Sequence, residues 1–310
     1  MPRKKKKLAL STEEKLKQLK KKYYILLGFF IIFAVAIGCY AYLNYDYLVF
    51  KHFISQHYIY TDALDILYED YLKMDINGKY YKYFDNIVIA SVTEKIRQIN
   101  QDRYTYLYTP EQYTQYKQEE KEEADESEFR ILDDRTCYIK ITNFSKYTWE
   151  FMKSHTSEMQ KYPNLMIDLR GNSGGLINSM NKMAELFLPK GSIITIDRMR
   201  LFNRTYKSKN NSPLKPENII ILQDRNTASA SEGFIAALKD NLDNVTLIGD
   251  TTYGKGIGQF TMPLRNGFAV KATTMLWYTP KDVNIHKKGI EPDIFYTDED
   301  IIEFALSVEL

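Results

Sequence analysis

The chain has 310 residues, enough to bury a sizeable hydrophobic core. Its net charge of +2 combines +8 in the first 22 residues with −6 in the rest. Because the larger part is acidic and carries no basic stripe, we do not expect the protein to bind nucleic acid.

The first 43 residues combine a basic segment, residues 1–22, with an apolar one. Tyr23–Leu43 are consecutive uncharged, mostly apolar positions that would span about 31 Å as a helix. Because basic flanking residues stay in the cytoplasm, this pattern predicts a single-pass protein of the cell membrane with everything after about Asn44 outside the cytoplasm. A cleavable signal peptide is the competing interpretation, although no cleavage site of small residues stands out. Lipid attachment at Cys39 stays open.

Residues 44–117 are predicted to be a helical N-terminal region. Apolar residues recur there at helix spacing, as in the pairs Ala63–Leu64, Leu67–Tyr68 and Tyr71–Leu72. The acidic run 118–128 follows and is typical of a solvated linker. Strand-forming residues begin at Phe129, so we expect the remaining domain to cover residues 129–310.

A serine-rich segment, Thr227–Glu232 (TASASE), follows the apolar strand formers Ile219–Leu222 and begins a predicted helix. A serine at a strand-to-helix turn places its hydroxyl beside backbone N–H groups and the positive end of the helix dipole. A nucleophile that develops negative charge is stabilised most in that position. Ser229 and Glu232 also fit a capping box, so the segment alone is more typical of a structural helix start than of a catalytic site.

A second segment, Thr252–Gly256 (TYGKG), places Lys255 between two glycines, with Gln259 shortly after it. Glycines let the backbone approach a neighbour closely, and a serine with a lysine is an alternative to serine with histidine in acyl transfer. As a base, Lys255 would need a pKa roughly three units below ~10.4, which burial can provide. Taken alone, the segment is also typical of a turn with a solvated lysine.

A third segment, Asn164–Gly175, is predicted to be a buried strand that ends in a glycine-rich turn, followed by a helical stretch over residues 176–188. Backbone N–H groups at such a turn bind anions, and in acyl transfer they form the oxyanion hole. A nucleotide site is a poor interpretation, because the spacing does not fit a P-loop or a dinucleotide-binding motif.

Over about residues 130–294 the chain resembles the carboxyl-terminal processing, or tail-specific, serine peptidases, because four motifs of that family occur here in the same order. The motifs are Asp168–Gly175, Thr227–Glu232, Tyr253–Gly256 and Lys288–Asp293. This resemblance implies an α/β fold with a crotonase-like (ClpP/crotonase) catalytic core and a Ser/Lys catalytic dyad. It also implies protein or peptide substrates.

The resemblance assigns roles to five residues. The middle serine of its motif, Ser229, is the nucleophile, Lys255 is the base and Gln259 orients the lysine. The oxyanion hole is formed by the backbone N–H groups of Ala230 and of one glycine of the pair Gly174–Gly175, of which we favour Gly175. No metal ligand or cofactor is implied, and the four histidines show no metal-ligand spacing.

The sequence departs from the resemblance in one place. Asp102–Tyr113 resembles the segment that precedes a PDZ domain in most members of the family, yet only residues 118–128 follow before the first core strands. We therefore expect the PDZ domain to be absent.

Three further points complete the predictions. Cys137 has no cysteine partner outside the membrane, so we expect no intrachain disulfide. Homo-oligomerisation is left open. A catalytically inactive, membrane-tethered binding module on the same fold is the alternative function, and a crotonase-type acyl-CoA enzyme is a third.

Overall fold

The computed structural model describes residues 11–62, 64–68, 84–211 and 213–308. The helices of these ranges are α1 (Thr12–Leu43), α2 (Tyr45–His57), α3 (Phe84–Asn100), α4 (Pro110–Asp125), α5 (Lys146–Met159), α6 (Ile177–Ala184), α7 (Ala230–Asn241) and α8 (Ile301–Ser307). The strands are β1 (Tyr106–Tyr108), β2 (Glu128–Ile131), β3 (Thr136–Lys140), β4 (Asn164–Asp168), β5 (Ile193–Met199), β6 (Asn203–Lys207), β7 (Asn218–Gln223), β8 (Val245–Gly249), β9 (Ile257–Pro263), β10 (Ala269–Tyr278) and β11 (Ile294–Phe295).

Six of the described strands form a mostly parallel sheet in the order β11-β8-β7-β4-β3-β2, in which β2 pairs antiparallel at one edge. Its central strands β4 and β7 are apolar along nearly their whole length, as expected for strands covered on both faces. Helices α5, α6 and α7 pack through one hydrophobic cluster on one face, and α8 packs on the other. The chain is therefore a mixed α/β protein, and both predicted core strands are confirmed.

A second, antiparallel sheet has the order β1-β10-β5-β6, with β9 also paired to β10. Strand β1 lies in the region predicted to be helical, where Tyr106 pairs with Lys271 of β10. The difference has a physical reason. The segment is rich in tyrosine and threonine, which favour strands, and an edge of β10 is available to it.

Helices α2 and α3 cover this second sheet. Phe50 and Ile54 of α2 and Ile89 of α3 pack in one hydrophobic cluster with Val270 and Ala272 of β10. The predicted helical character of the N-terminal region is thus confirmed for its longest described elements. Of the predicted apolar pairs, Leu67–Tyr68 lies in a 3₁₀ helix, whereas Tyr71–Leu72 lies outside the described residues.

Helix α1 has 32 residues, and none of them is buried. Within the described ranges it is the one helix long and apolar enough to cross a membrane, and a signal sequence near the N-terminus would have the same character. The predicted apolar segment lies inside it. The α1–α2 junction is tied to the β9–β10 hairpin by Arg265, whose Nε lies 3.0 Å from Asp46 Oδ1 and whose Nη1 donates to the Tyr42 carbonyl.

The acidic segment is mostly helical, which differs from the solvated linker that its composition suggested. Helix α4 begins with a capping box of Thr109 and Gln112 and has Pro110 in its first turn, so its start is well encoded. Its acidic half is largely exposed, and the Asn143 side chain donates to the carbonyl of Glu120 at 2.8 Å. The chain passes from the end of α4 at Asp125 to β2 within a few residues.

Candidate active site

The glycine-rich turn and the serine segment meet because their strands are neighbours. β4 and β7 are parallel and adjacent, so the segments after their carboxyl ends lie side by side. The Asn172 carbonyl joins the segments by accepting the Ala228 N–H at 3.0 Å and the Ser231 hydroxyl at 2.9 Å. The fold therefore brings together two motifs that are more than fifty residues apart along the chain.

Ser229 stands at the first turn of α7 in a strained conformation. Its φ is +58° and its ψ is −115°, a combination that residues with a side chain rarely adopt. The residue is half-buried and lines a cavity. Ser231, by contrast, is fully buried, and its hydroxyl is committed to Asn172. Of these two serines, Ser229 is the one placed to meet a ligand.

Gly174 lies directly against the serine segment. Gly174 has a φ of +109°, and a Cβ atom there would lie 2.8 Å from Ser229 Cβ and 3.0 Å from Ala230 N. The Gly174 N–H donates to Asn172 Oδ1 at 2.9 Å and is therefore occupied. Within the described residues, the Gly175 N–H makes no hydrogen bond, and the Ala230 N–H is the first of α7, without an intrahelical acceptor.

Glu232 joins the serine and lysine segments. Its buried carboxylate accepts four hydrogen bonds, from Ser229 N–H (2.7 Å), Lys255 N–H (2.9 Å), Gly254 N–H (2.6 Å) and the Thr252 hydroxyl (2.6 Å). Burial raises the pKa of Glu232, and these hydrogen bonds oppose the shift. The sequence indicated Glu232 only as a helix cap, because its other partners lie about twenty residues further along the chain.

The Lys255 side chain is in an apolar and partly cationic environment. Its pKa is lowered to about 8, mainly by burial and further by the charges of Lys271 and Arg103, while Glu232 opposes the shift. Its Nζ lies 4.8 Å from the centre of the Tyr104 ring. Among the contacts of the described residues, Nζ makes no hydrogen bond with Ser229. Glu232 thus holds the backbones of the two residues near each other, while among the described residues their side chains do not form the contact that a working dyad requires.

Gln259 lies on β9, opposite Thr273 of β10. Its Nε2 is buried and has no hydrogen-bond partner within the described part of the chain. Within the described residues no hydrogen bond joins Gln259 to Lys255, so the role of Gln259 in orienting the lysine stays a prediction. The unpartnered amide shows that this side chain has a free donor near the site.

A cluster of residues from the N-terminal region covers Lys255. Sequence reasoning missed this cluster. The Tyr104 hydroxyl lies 3.2 Å from that of Tyr253 and accepts a hydrogen bond from Arg103 at 3.0 Å. The Tyr104 backbone is fixed by Asp102, whose Oδ1 accepts its N–H at 3.0 Å and the Thr273 hydroxyl at 3.2 Å. The signal in the sequence was the family-like segment that begins at Asp102.

The cavity beside Ser229 is small, with about 20 Å³ of accessible volume, which is room for about one water molecule. Its walls come from α6, α7, β5, β9 and β10, and they include Ile177, Met180, Thr195, Asp197, Ile257 and Trp277. Trp277 is buried and donates its Nε1–H to the Lys255 carbonyl at 2.8 Å. Trp277 is therefore both a buried residue of the core and part of the cavity wall.

Residues 135–296, more than half of the chain, match the model of peptidase family S41. The chain belongs to peptidase family S41. All five residues with predicted catalytic or oxyanion roles fall inside the matched region, whereas α1–α4 lie outside it.

Curated relatives of this S41 peptidase include two proteins named as proteases. The chain is 35% identical over 172 residues to the carboxy-terminal processing protease CtpB of Bacillus subtilis, an alignment that covers 54% of this chain and 35% of the relative. It is 37% identical over 145 residues to a probable CtpA-like serine protease of Staphylococcus aureus, covering 46% and 28%. The chain thus spans about a third of the length of the curated relatives it matches.

Solved structures extend the similarity of the S41 peptidase beyond the matched region. A lipoprotein from Streptococcus agalactiae superposes with a TM-score of 0.65 at 16% identity, covering 86% of this chain and 94% of the other. The photosystem II D1 C-terminal processing protease superposes with a TM-score of 0.61 at 17% identity, covering 83% and 94%. At these identities the likeness establishes the fold alone.

Proposed function

We propose that this chain is a serine endopeptidase of the C-terminal processing type, with Ser229 as its nucleophile and Lys255 as its base. The observation that carries the proposal is the carboxylate of Glu232, which accepts the backbone N–H groups of both Ser229 and Lys255. One buried group thereby fixes the backbones of nucleophile and base against each other. Membership of peptidase family S41 supports the same assignment.

The chemistry follows from the placement of these groups. Neutral Lys255 Nζ takes the proton of Ser229 Oγ as the oxygen attacks the peptide carbonyl. The oxyanion of the tetrahedral intermediate accepts the N–H groups of Gly175 and Ala230. The lysine then returns the proton to the departing amine, and water hydrolyses the acyl-enzyme with the same base. The pKa of Lys255, lowered to about 8, keeps part of the lysine neutral near physiological pH.

This mechanism requires one movement. Lys255 Nζ leaves the Tyr104 ring and turns toward Ser229, and the side-chain carbonyl of Gln259 then accepts a hydrogen bond from the amine and holds it there. A glutamine suits this role, because it orients the amine without adding a negative charge that would raise the pKa of the lysine.

The setting of the reaction is part of the proposal. Helix α1 anchors the chain in the cell membrane once, with its basic end in the cytoplasm and the crotonase-like catalytic core outside it. The substrates are extracytoplasmic proteins or peptides, bound without a PDZ domain between α4 and β2.

The decisive experiment uses the full chain in lipid nanodiscs. Wild type, Ser229→Ala and Ser231→Ala are incubated with an unfolded model protein, and new termini are mapped by mass spectrometry. We expect wild type to generate new termini, Ser229→Ala to generate none, and Ser231→Ala to retain activity with some loss of stability from its buried hydrogen bond. Cleavage by Ser229→Ala, or inactivity of Ser231→Ala alone, overturns the assignment.

The alternative, an inactive binding module, has one observation in its favour. The lysine amine faces Tyr104 and makes no hydrogen bond with Ser229 among the described residues. Binding of the same unfolded protein by wild type, with no new termini under any condition tested, would support the alternative.

A further inference from the structure

The cavity beside Ser229 contains buried polar groups that the chemistry of peptide cleavage does not use. Thr195 and Asp197 are neighbours on one face of β5, and they are 3% and 1% exposed. Both carboxylate oxygens of Asp197 and the hydroxyl oxygen of Thr195 are buried without a hydrogen-bond partner within the described residues. Buried polar groups are nearly always satisfied, so an orphaned carboxylate next to a nucleophile points to a missing ligand.

No hydrogen-bond donor in the described part of the chain satisfies this carboxylate. Arg204 lies opposite Asp197 on β6, but it is exposed and donates to the Tyr206 hydroxyl at 2.7 Å. Burial raises the pKa of Asp197 to about 6, and the charge of Arg204 opposes the shift. At pH 7 this carboxyl group is therefore mostly ionised.

The walls of the cavity set the shape of the missing ligand. Ile177, Met180 and Trp277 provide apolar walls around the polar pair. The cavity is narrow and holds about one water molecule as it stands (about 20 Å³), so a bound side chain would displace the flexible thioether of Met180 at its wall. Apolar walls with an anionic end fit an unbranched aliphatic stem that carries a cation, which is the chemistry of a lysine side chain.

We propose that this cavity binds the substrate side chain on the amino side of the cleaved bond, and that Asp197 with Thr195 selects lysine there. The inference rests on the proposed function, because it treats Ser229 as the attacking group. In the bound state the substrate ammonium donates to the Asp197 carboxylate and the Thr195 hydroxyl. The burial of both charges is then compensated by an ion pair with hydrogen bonds.

The test uses full-length chain in nanodiscs and peptides identical except at the residue before the scissile bond, which is Lys, Met or Ser. Methionine matches the unbranched stem of lysine without its charge, and serine tests a small hydroxyl ligand. We expect wild type to cleave the lysine peptide with a kcat/KM at least about tenfold above either of the others. Asp197→Asn should lower kcat/KM for the lysine peptide at least about tenfold and change the methionine peptide less than about threefold.

The control is Asp282→Asn. Asp282 is an exposed carboxylate that pairs with Arg198, the residue next to Asp197, and its φ of +62° suits asparagine. Asp282→Asn removes the same charge nearby and should leave the ratio of lysine to methionine cleavage unchanged. An equal loss on all peptides in Asp197→Asn would indicate a structural role and overturn the proposal.

Binding of the same peptides to the Ser229→Ala chain separates this inference from the proposed function. If wild type cleaves the methionine or serine peptide as well as the lysine peptide, the lysine preference is wrong while the peptidase assignment stands. If wild type cleaves no peptide, the proposed function fails. In that case the binding measurement decides on the lysine site. The site is supported if Ser229→Ala binds the lysine peptide more strongly than the others and Ser229→Ala/Asp197→Asn does not, and it is overturned if all peptides bind equally.

Discussion

Lys255 Nζ lies 4.8 Å from the centre of the Tyr104 ring. The proposed mechanism instead requires this amine at hydrogen-bond distance from Ser229. A cation held over an aromatic face gains about 0.5–2 kcal/mol, depending on its solvation. Tyr104 itself is held by Asp102 through its backbone and by Arg103 and Tyr253 through its hydroxyl. The base thus has a defined position outside the proposed dyad.

Replacing Tyr104 with alanine should therefore increase activity. If the ring holds Lys255 away from Ser229 by about 1 kcal/mol, its removal raises kcat/KM about fivefold. Tyr104→Phe is the matched control, since it keeps the aromatic face and loses only the hydroxyl contacts, and it should stay near wild type. Steady-state cleavage of a fluorogenic peptide measures both variants. A large loss of activity in Tyr104→Ala but not in Tyr104→Phe would mean that the ring helps catalysis.

Activity should rise with pH around pH 8. The neutral amine is the base, and the pKa of Lys255 is lowered to about 8, so most of the lysine is protonated and inactive below that pH and competent above it. Lys255→Arg keeps the charge but cannot deprotonate, so it should be as inactive as Lys255→Ala. The measurement is kcat/KM between pH 6 and 10. Near wild-type turnover by Lys255→Arg would exclude the dyad.

The charge of Lys271 provides a second test of the same pKa. Lys271 lowers the pKa of Lys255, so Lys271→Gln should move the pH profile to higher pH. Lys281→Gln is the control, because Lys281 pairs with Asp240 away from the site and should leave the midpoint unchanged. A profile that does not move in Lys271→Gln would mean that its midpoint reports another group.

Glu232→Gln should reduce both stability and activity. The carboxylate accepts hydrogen bonds with both oxygens, whereas a glutamine has one carbonyl oxygen and an NH₂ group that would face other N–H donors. The hydrogen bonds lost in this way lower the free energy of unfolding by about 2–4 kcal/mol. Urea unfolding and peptide cleavage measure the two effects. Thr252→Ser keeps the hydroxyl that donates to Glu232 and should change neither by much. A Glu232→Gln chain with wild-type activity would show that this carboxylate does not set the relation of serine to lysine.

The orientation of the chain is tested in intact cells whose wall or outer layer has been removed. Because residues 1–22 are strongly basic, an added protease should degrade everything after about Asn44 and spare a tag at the N-terminus. Lysed cells, in which the tag should also be lost, are the control. Protection of the catalytic domain in intact cells would reverse the orientation.

The sequence was most informative where structure and chemistry are local. The strands before the glycine turn and before Ser229, and the start of α7, follow from apolar runs and turn residues alone. Tyr104 was missed because its contacts are with distant residues, such as Tyr253, 149 residues away. Asp197 was missed because only the fold buries it beside Ser229. Strand β1 was missed for the same reason, since only its pairing with β10 distinguishes a short tyrosine-rich strand from a frayed helix end.

The ion pair of Arg265 with Asp46, at the start of α2, joins the α1–α2 junction directly to the β9–β10 hairpin. Helix α2 begins two residues after α1 ends and packs directly on β10, so no flexible stalk separates the two. With α1 in a bilayer, the cleft would stand at a fixed height above the lipid surface. A membrane-attached substrate would then be cleaved only if its cleavage site lies at that same distance from the bilayer. This distance would limit the choice of substrate independently of the substrate's sequence.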